Sequence, residues 1–177
     1  MFNPGPITAA AKPAKADPRI LFVTSTRVGD AVLSSGVLNR LVADHPRARI
    51  TIACGPAAAG LFAAVPTLDR LIVLDKMPLS LHWRELWARC VGQVWDLVVD
   101  FRNAPLTWLL AARRQRRMGS GRAAIHRVRL YARVIGREDD PPAPALWTQP
   151  RHEDAARRLN PDGMPVLAGG PTANWRA

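Results

Sequence analysis

The segment RILFVTSTRVGD, residues 19–30, determines how the rest of the chain is organised. Its apolar run Ile20–Val23 is typical of a strand that is buried on both faces of a sheet. Three hydroxyl side chains, an arginine, a glycine and an aspartate follow, and apolar residues then recur at helical spacing from Leu33 to Val42. Strand, polar turn and helix make the first unit of an open α/β sheet. Because ligands of such sheets lie outside the carboxyl ends of the strands, this turn is the expected site of chemistry.

Length and composition indicate a globular domain. The chain has 177 residues, enough for one domain with a full core and marginal for two. Its longest apolar window, near residues 106–112, is far shorter than the ~20 residues that cross a bilayer. Residues 1–18 lack the continuous apolar stretch of a signal peptide, and we predict that they form a disordered tail. Without an export signal, the two cysteines are expected to be reduced thiols in a cytoplasmic protein.

Strand and helix patterns alternate after the first unit, which predicts a doubly wound parallel sheet. We expect further strands at 48–53, 71–74 and 96–101, a more exposed strand near 117–118, and helices at 56–64, 83–94, 105–113 and 122–136. The helix at 83–94 has one apolar face, which we assign to core packing: Trp83, Trp87, Cys90, Val91 and Val94. Residues 139–150 are predicted to be a linker, followed by a short helix at 152–159 and the beginning of a strand at 165–169.

The turn after the first strand does not match the common nucleotide-binding motifs. A dinucleotide site needs three spaced glycines, and a P-loop needs a lysine after its second glycine, whereas TSTRVGD has one glycine and no lysine. The sequence has no cluster of cysteine and histidine that would hold a metal, so no metal site is predicted. On position alone, Asp30 suits the N-cap of the helix that follows, a role that contributes about 1 kcal/mol.

Positive charge is concentrated in one part of the sequence. Residues 101–137 contain ten arginines and no aspartate or glutamate, while the formal charge of the whole chain is +11. Arginine binds phosphate with two parallel hydrogen bonds, so this segment favours an anionic partner. The alternative is a solvated basic surface. Arg122, Arg127 and Arg129 are the preferred anion-binding candidates, because the arginines nearer 113–117 can simply flank a strand.

The order of these elements resembles a known family. Residues 19–66, the pattern PRARI at 46–50 and the strand VWDLVVDFRN at 94–103 resemble the amino-terminal domain of glycosyltransferase family nine, the ADP-heptose:lipopolysaccharide heptosyltransferases. LAGGPTANWRA at 167–177 is similar to the start of the family's second domain. The resemblance implies the amino-terminal half of a GT-B fold: a Rossmann-like acceptor-binding domain at 19–138, the linker at 139–150, and the beginning of a nucleotide-sugar-binding domain at 151–177.

The resemblance also implies roles for residues. Asp30 would be the general base that removes the proton from the acceptor hydroxyl in an inverting transfer. The acceptor-binding candidates are Thr26, Arg27, Gly29, Asp100, Arg102, Asn103, Arg122, Arg127 and Arg129. For Asp100, Arg102 and Asn103, a turn at the end of a strand is an equally good interpretation.

Substrates and partners follow from the same resemblance. The donor would be a nucleotide-sugar such as ADP-heptose, with no other cofactor. The acceptor would be an acidic, lipid-linked saccharide such as a lipopolysaccharide core, reached by peripheral contact with the inner membrane. This chain is expected to bind acceptor without catalysing transfer by itself, and a separate chain is one possible source of a second domain. The rival hypothesis is a non-catalytic α/β module that binds nucleic acid or anionic lipid through its arginines; no nucleic-acid-binding motif supports it, and we predict no nucleic-acid partner.

Overall fold

A computed structural model describes residues 17–75, 82–119 and 125–165. Five parallel strands form a single sheet in the order β3-β2-β1-β4-β5. The strands are β1 (Arg19–Val23), β2 (Arg49–Cys54), β3 (Leu68–Val73), β4 (Leu97–Asp100) and β5 (Gln115–Arg117). The helices are α1 (Val28–Asp44), α2 (Pro56–Phe62), α3 (His82–Cys90), α4 (Arg127–Arg133) and α5 (Pro150–Leu159). The predicted Rossmann-like α/β class is confirmed.

The core has two layers because the side chains of β1 alternate between the two faces of the sheet. Ile20 and Phe22 pack with α1, α2 and α4, whereas Leu21 and Val23 pack with α3. All four side chains are at most 1% exposed. On the α1 face, the Phe101 ring lies edge-on between Phe22 and Tyr131, with centroid distances of 5.3 and 4.9 Å. The apolar run of β1 therefore joins both layers, as the uninterrupted pattern predicts.

The predicted helix at 105–113 is wrong beyond its first turn. The chain forms a 3₁₀ helix only at Pro105–Leu109, and Ala112 then pairs in parallel with Trp95 beside β4. The Thr107 hydroxyl oxygen lies 2.7 Å from both the Ala104 carbonyl and the Asp100 carboxylate, so its one proton is shared between two acceptors of the short turn. Side chain–backbone bonds of this kind compete with a regular helix.

Two other predicted helices are shorter than expected. Helix α3 ends at Cys90, and Gly92, with φ of 87°, turns the chain away. The assignment of Val91 and Val94 to the core is therefore wrong, because both side chains are exposed. Helix α4 begins at Arg127, where the His126 ring accepts a hydrogen bond from the Val128 amide at 3.4 Å. Residues 120–124, which include Arg122, lie outside the described residues.

Residues 141–149 contain no helix or strand, as predicted, but they pack closely on α1. The Ala145 amide donates to the Ser35 hydroxyl at 2.9 Å. A Cβ added to Gly36 would lie 2.7 Å from the Ala143 carbonyl oxygen, so the absence of a side chain allows this approach. The Gln149 side chain donates to the Ala63 carbonyl at 3.2 Å. Residues 141–149 are thus fixed against α1 and the end of α2, up to the start of α5.

Helix α5 begins two residues before the predicted position and buries none of its side chains. Of the strand predicted at 165–169, only Pro165 lies within the described residues. The tail predicted at 1–18 is described only at Asp17 and Pro18, where the Pro18 carbonyl accepts the Arg49 amide at 2.8 Å. The division into domains stays a prediction. None of the helices in the described part of the chain is long and apolar enough to cross a membrane.

Candidate functional site

The candidate site lies where the turns after β1 and β4 meet. These strands are hydrogen-bonded neighbours, and Val23 at the end of β1 pairs with Asp100 at the end of β4. Helix α1 connects β1 to β2 on one side, while β4 is reached from β3 through α3 on the other face. This change of direction is a topological switch point, where open α/β sheets form a ligand crevice.

The first two hydroxyls of the β1 turn are used inside the protein. The Thr24 hydroxyl hydrogen-bonds to the Ser34 hydroxyl at 2.6 Å, and both side chains are buried. The Ser25 hydroxyl accepts the Arg27 amide at 3.1 Å. Thr26 is packed against the next turn so closely that a Cβ on Gly55 would lie 2.6 Å from its Cα. The turn is therefore rigid, and Thr26 is the residue of the three that contacts another candidate side chain.

Asp30 is not the N-cap that its position in the sequence favours. The N-cap of α1 is Arg27, in an extended conformation and without a side-chain cap, and Asp30 is the third residue of the helix. A negative charge in this first turn is favourable because the helix N-terminus carries partial positive charge. The Asp30 side chain is 22% exposed, so its carboxylate is reachable from the crevice.

Gly29 is a helical residue, although the sequence suggests a turn glycine. It lies in the first turn of α1, and a Cβ at this position would meet nothing within 4 Å. Neither backbone conformation nor packing within the described residues requires glycine here. Arg27 beside it is exposed, and its backbone carbonyl accepts the Ala31 amide at 3.0 Å. Both residues lie beside Asp30 in the sequence at the start of α1.

Helix α4 brings two side chains to Asp30. The Arg127 Nε lies 3.6 Å from the Asp30 Oδ1, and the Arg127 side chain is 52% exposed. Tyr131, one helical turn further, is buried. Burial first, and then the negative charge of Asp30, raise the pKa of the Tyr131 hydroxyl to about 12, so this hydroxyl keeps its proton at neutral pH. Tyr131 was not among the predicted site residues, although its spacing of four from Arg127 is the signal that could have found it.

Arg102, after β4, is held over the same crevice by two contacts. Its Nη1 donates to the Thr26 hydroxyl at 3.1 Å, and its guanidinium carbon lies 5.5 Å from the centre of the Trp83 ring. Cation–π contact of this kind fixes the plane of the guanidinium. The positive charge of Arg102 also reaches Tyr131, where it acts to lower the pKa of the hydroxyl. The structure thus pairs Thr26 with Arg102 and Asp30 with Arg127, and the charges of both Arg102 and Asp30 act on Tyr131.

Asp100 has a structural role that removes it from the crevice. Its side chain is fully buried, and its carboxylate accepts the amides of Arg102 and Ala104, at 2.8 and 2.9 Å, and the Thr107 hydroxyl at 2.7 Å. The Arg117 Nη1 lies 3.0 Å from the same carboxylate. Burial lowers the pKa of the Arg117 guanidinium, and the charge of Asp100 opposes that effect. Asp100 therefore organises the turn, and its carboxylate is buried and fully engaged within the protein.

Asn103 completes that turn with a left-handed backbone. Its φ is 51°, a conformation that asparagine tolerates better than most residues. Its side chain is exposed. The interpretation of residues 100–103 as a strand-end turn thus describes Asp100 and Asn103, while Arg102 also faces the crevice.

Across its described residues, 101–119 and 125–137, the arginine-rich segment does not form one cationic surface. Five of its arginines pair with carboxylates that lie outside the segment, some of them directly beside its ends: Arg113 with Asp96, Arg117 with Asp100, Arg127 with Asp30, Arg133 with Glu138, and Arg137 with Asp140. Arg129 acts on Glu138, whose pKa it helps to lower after the stronger effect of Arg133. Because Arg127 and Arg129 are two residues apart on a helix, they face different directions. Charge that is concentrated in sequence is therefore dispersed and partly neutralised in space.

Within the described ranges, no group of three or more histidine, cysteine, aspartate or glutamate side chains could hold a metal ion. Burial raises the pKa of both cysteine thiols, Cys54 and Cys90, to about 11. Both thiols are therefore protonated at neutral pH and poor nucleophiles. The side chains at the crevice thus offer acid–base chemistry at Asp30 and cationic contacts at Arg102 and Arg127.

No family model matches the chain, and no curated protein matches its sequence. Solved structures do match it. A glycosyl transferase family 9 protein from Veillonella parvula superposes with a TM-score of 0.60 at 18% identity, over 90% of this chain and 57% of that one. The chain shares its fold with a family 9 glycosyltransferase. E. coli heptosyltransferase WaaC with ADP-2-deoxy-2-fluoro heptose matches with a TM-score of 0.45 at 16% identity, over 67% of this chain and 48% of that one.

At 18% identity the likeness establishes the fold, and it confirms the fold that the sequence resemblance implied. The chain spans 57% of the length of the family 9 protein. The activity, substrates and partners of a whole enzyme of this kind are accordingly a matter of proposal for this chain.

Proposed function

We propose that this chain is the acceptor-binding, base-carrying part of a glycosyltransferase that resembles the heptosyltransferases. The donor is a nucleotide-sugar such as ADP-heptose, and the acceptor is an acidic saccharide of the lipopolysaccharide-core type. Transfer inverts the anomeric centre. One observation carries the proposal: the partly exposed Asp30 carboxylate lies at the switch point of the sheet. Arg127 pairs with it, and Arg102 is held by Thr26 in the turn after the neighbouring strand.

The chemistry suits an aspartate at this place. A sugar hydroxyl is a weak nucleophile, and a positioned base contributes typically ~10²–10⁴-fold to the rate. The Asp30 carboxylate takes the proton as the acceptor oxygen forms its bond to the anomeric carbon. The bond from that carbon to the nucleoside diphosphate breaks at the same time, and the electron pair leaves with the diphosphate. The acceptor oxygen enters opposite the leaving group, which inverts the centre.

The two arginines have the geometry to hold an acidic acceptor. Arg102 is fixed by Thr26 and Trp83, so little side-chain freedom is lost when it binds an anion. Arg127 is half-exposed and pairs with Asp30 at 3.6 Å. An acceptor carboxylate or phosphate can take Arg127 as its partner, which leaves the Asp30 carboxylate to accept the proton. The buried Tyr131 hydroxyl, which stays protonated, lies on the inner side of Asp30 and Arg127.

Donor contacts are assigned to a second Rossmann-like domain, on the same polypeptide or on a separate chain. Positive charge or dipoles must face the departing diphosphate, where negative charge develops. The chain matches 57% of the family 9 protein, so that protein has further residues beyond the matched part. With a lipid-linked acceptor, the site of action is the cytoplasmic face of the inner membrane, reached by peripheral contact.

The test is ADP release from ADP-heptose with a lipopolysaccharide-core acceptor, measured in a form of the protein that carries the donor-binding domain. We expect Asp30→Asn to lower turnover on the order of 10²-fold or more. Asp44→Asn is the matched control, because Asp44 lies at the far end of the same helix and pairs with Arg40. Turnover close to wild type in a folded Asp30→Asn protein would overturn the assignment of the base.

A further inference from the structure

A cavity of about 840 Å³ lies at the edge of the sheet opposite to Asp30. It is bounded by the amino ends of β1 and β4, by β5, and by the carboxyl ends of α1 and α4. Apolar residues are among those that line it: Val94, which is exposed, Leu97 and Ile135, which are partly exposed, and the buried Ile20 and Leu41. Its volume is within the ~300–1,000 Å³ of typical small-molecule sites. The proposed transferase chemistry does not use this cavity, since that chemistry takes place at the carboxyl ends of the same strands.

Charged side chains around the cavity are mostly positive. Six arginines line it against three aspartates, with His45 in addition: Arg19, Arg47, Arg113, Arg114, Arg116 and Arg137, against Asp17, Asp44 and Asp96. Two of the aspartates already have arginine partners, because Asp44 pairs with Arg40 and Asp96 with Arg113. Their charge is therefore not available to neutralise the other arginines.

Among the described residues, the guanidinium groups of four of the six arginines have no carboxylate within 4 Å, although that of Arg19 donates to the Gln93 side chain at 3.1 Å. The four are Arg19, Arg47, Arg114 and Arg116, whereas Arg113 and Arg137 are paired. Arg116 lies in β5, and Arg114, directly before that strand, still accepts the Val98 amide of β4 at 2.9 Å, so the two side chains alternate onto the same face. Arg47 is in the turn after α1 and Arg19 begins β1. Arginines from three separate parts of the chain thus line one cavity, together with apolar residues.

We propose that this cavity binds a phosphoryl-bearing ligand that also has an apolar part. Guanidinium forks match phosphate oxygens in pairs, and the excess of positive charge at the rim favours an anion. The apolar lining favours a ligand with hydrocarbon beside the phosphate. A soluble amphiphilic phosphate and the headgroup region of an anionic lipid share this chemistry.

Calorimetric titration of the full 177-residue chain with two probes tests the proposal. Glycerol 3-phosphate carries the phosphoryl group alone, and dihexanoyl phosphatidic acid carries the same group with short acyl chains. We expect the phosphatidic acid to bind at least about tenfold more tightly, because only its acyl chains reach the apolar lining. Sedimentation with phosphatidic acid–phosphatidylcholine vesicles then distinguishes the two kinds of ligand. Capture of the protein by vesicles indicates a membrane lipid, whereas binding of dihexanoyl phosphatidic acid without capture by vesicles indicates a soluble metabolite.

The matched pair of variants is Arg114→Gln/Arg116→Gln and Arg151→Gln/Arg158→Gln. Both remove two positive charges, but Arg151 and Arg158 lie on α5, which buries none of its side chains. The first pair is expected to lose about tenfold or more in affinity for phosphatidic acid, and the second about twofold or less. If the first pair fails to fold by circular dichroism, Arg47→Gln, in an exposed turn, replaces it.

Equal losses in both pairs would overturn the proposal, since they would show a diffuse effect of net charge. Equal affinity for the two probes would contradict the inference that the ligand has an apolar part. Absence of binding to both probes would overturn the site. None of these outcomes bears on Asp30, because the probes contact the opposite edge of the sheet.

Discussion

The Arg127 guanidinium faces the Asp30 carboxylate across the contact between α4 and α1, with 3.6 Å between Nε and Oδ1. Both side chains are partly exposed, and a pair of this kind contributes at most about 1 kcal/mol. A ligand with its own acidic group can therefore separate them at little cost. Asp30 and Asp100 are the two carboxylates among the predicted site residues, and of these only Asp30 faces the crevice. The pair links Asp30 to the arginine-rich segment of the chain.

Arg127→Gln should weaken binding of an acidic saccharide acceptor about tenfold, because hydrogen bonds to charged groups contribute ~1.5–3 kcal/mol. Arg129→Gln is the matched control, since Arg129 lies on the same helix, faces another direction and acts on Glu138. It should change the affinity about twofold or less. Calorimetric titration of the 177-residue chain with a lipopolysaccharide-core acceptor measures both. Equal losses would mean that α4 contributes only general positive charge.

Asp100→Asn should destabilise the fold by about 3–5 kcal/mol, because it leaves the Arg117 guanidinium without its buried partner. The carboxylate also loses part of its bonding to the turn at 102–107. Asp44→Asn removes an exposed i,i+4 pair and should cost about 0.5 kcal/mol or less. Urea unfolding followed by circular dichroism compares the two. A similar small loss for both variants would show that Asp100 is not the organiser of its turn.

The order and class of the secondary-structure elements were predictable because a local apolar run in the sequence indicates each strand. The run Ile20–Val23 indicates burial on both faces, and the positions of the next strands follow from similar runs. Element ends were less predictable where side chains far apart in sequence decide them. The helix expected from Pro105 stops after five residues because Asp100 and Thr107 hold a tight turn there.

Charge pairing was the part of the site that the sequence concealed. Residues 101–137 contain no acid, yet Asp30, Asp96, Asp100, Glu138 and Asp140 reach five of their arginines in the folded chain. The pairs of Arg133 and Arg137 are local in sequence, whereas those of Arg113, Arg117 and Arg127 depend on which elements become neighbours, and local composition does not encode that. Tyr131 was missed for the same reason, since its environment comes from α1 and from Phe101 in the turn after β4.

Gly36→Ala should destabilise the protein, whereas Gly60→Ala should stabilise it. A Cβ at Gly36 would lie 2.7 Å from the Ala143 carbonyl oxygen, so residues 142–145 must move away from α1. A Cβ at Gly60, within α2, would meet nothing within 4 Å, and alanine is favoured over glycine in a helix by ~0.5–1 kcal/mol. Thermal unfolding measures both signs. A gain in stability for Gly36→Ala would show that the 141–149 segment is not held against α1.

Tyr131 is the single tyrosine of the chain, so its phenolate can be followed directly by ultraviolet difference absorbance. Burial and the charge of Asp30 raise its pKa to about 12 from an ordinary value of about 10. The folded state therefore favours the protonated hydroxyl. The stability that comes from this preference is fully present below about pH 10 and is lost as the pH rises to about 12.

Asp30→Asn should lower the pKa of Tyr131, because it removes a negative charge that opposes formation of the phenolate. Asp44→Asn, at the far end of α1, should leave that pKa unchanged. An unchanged Tyr131 titration in Asp30→Asn would place the carboxylate too far from α4 to take part in the proposed site.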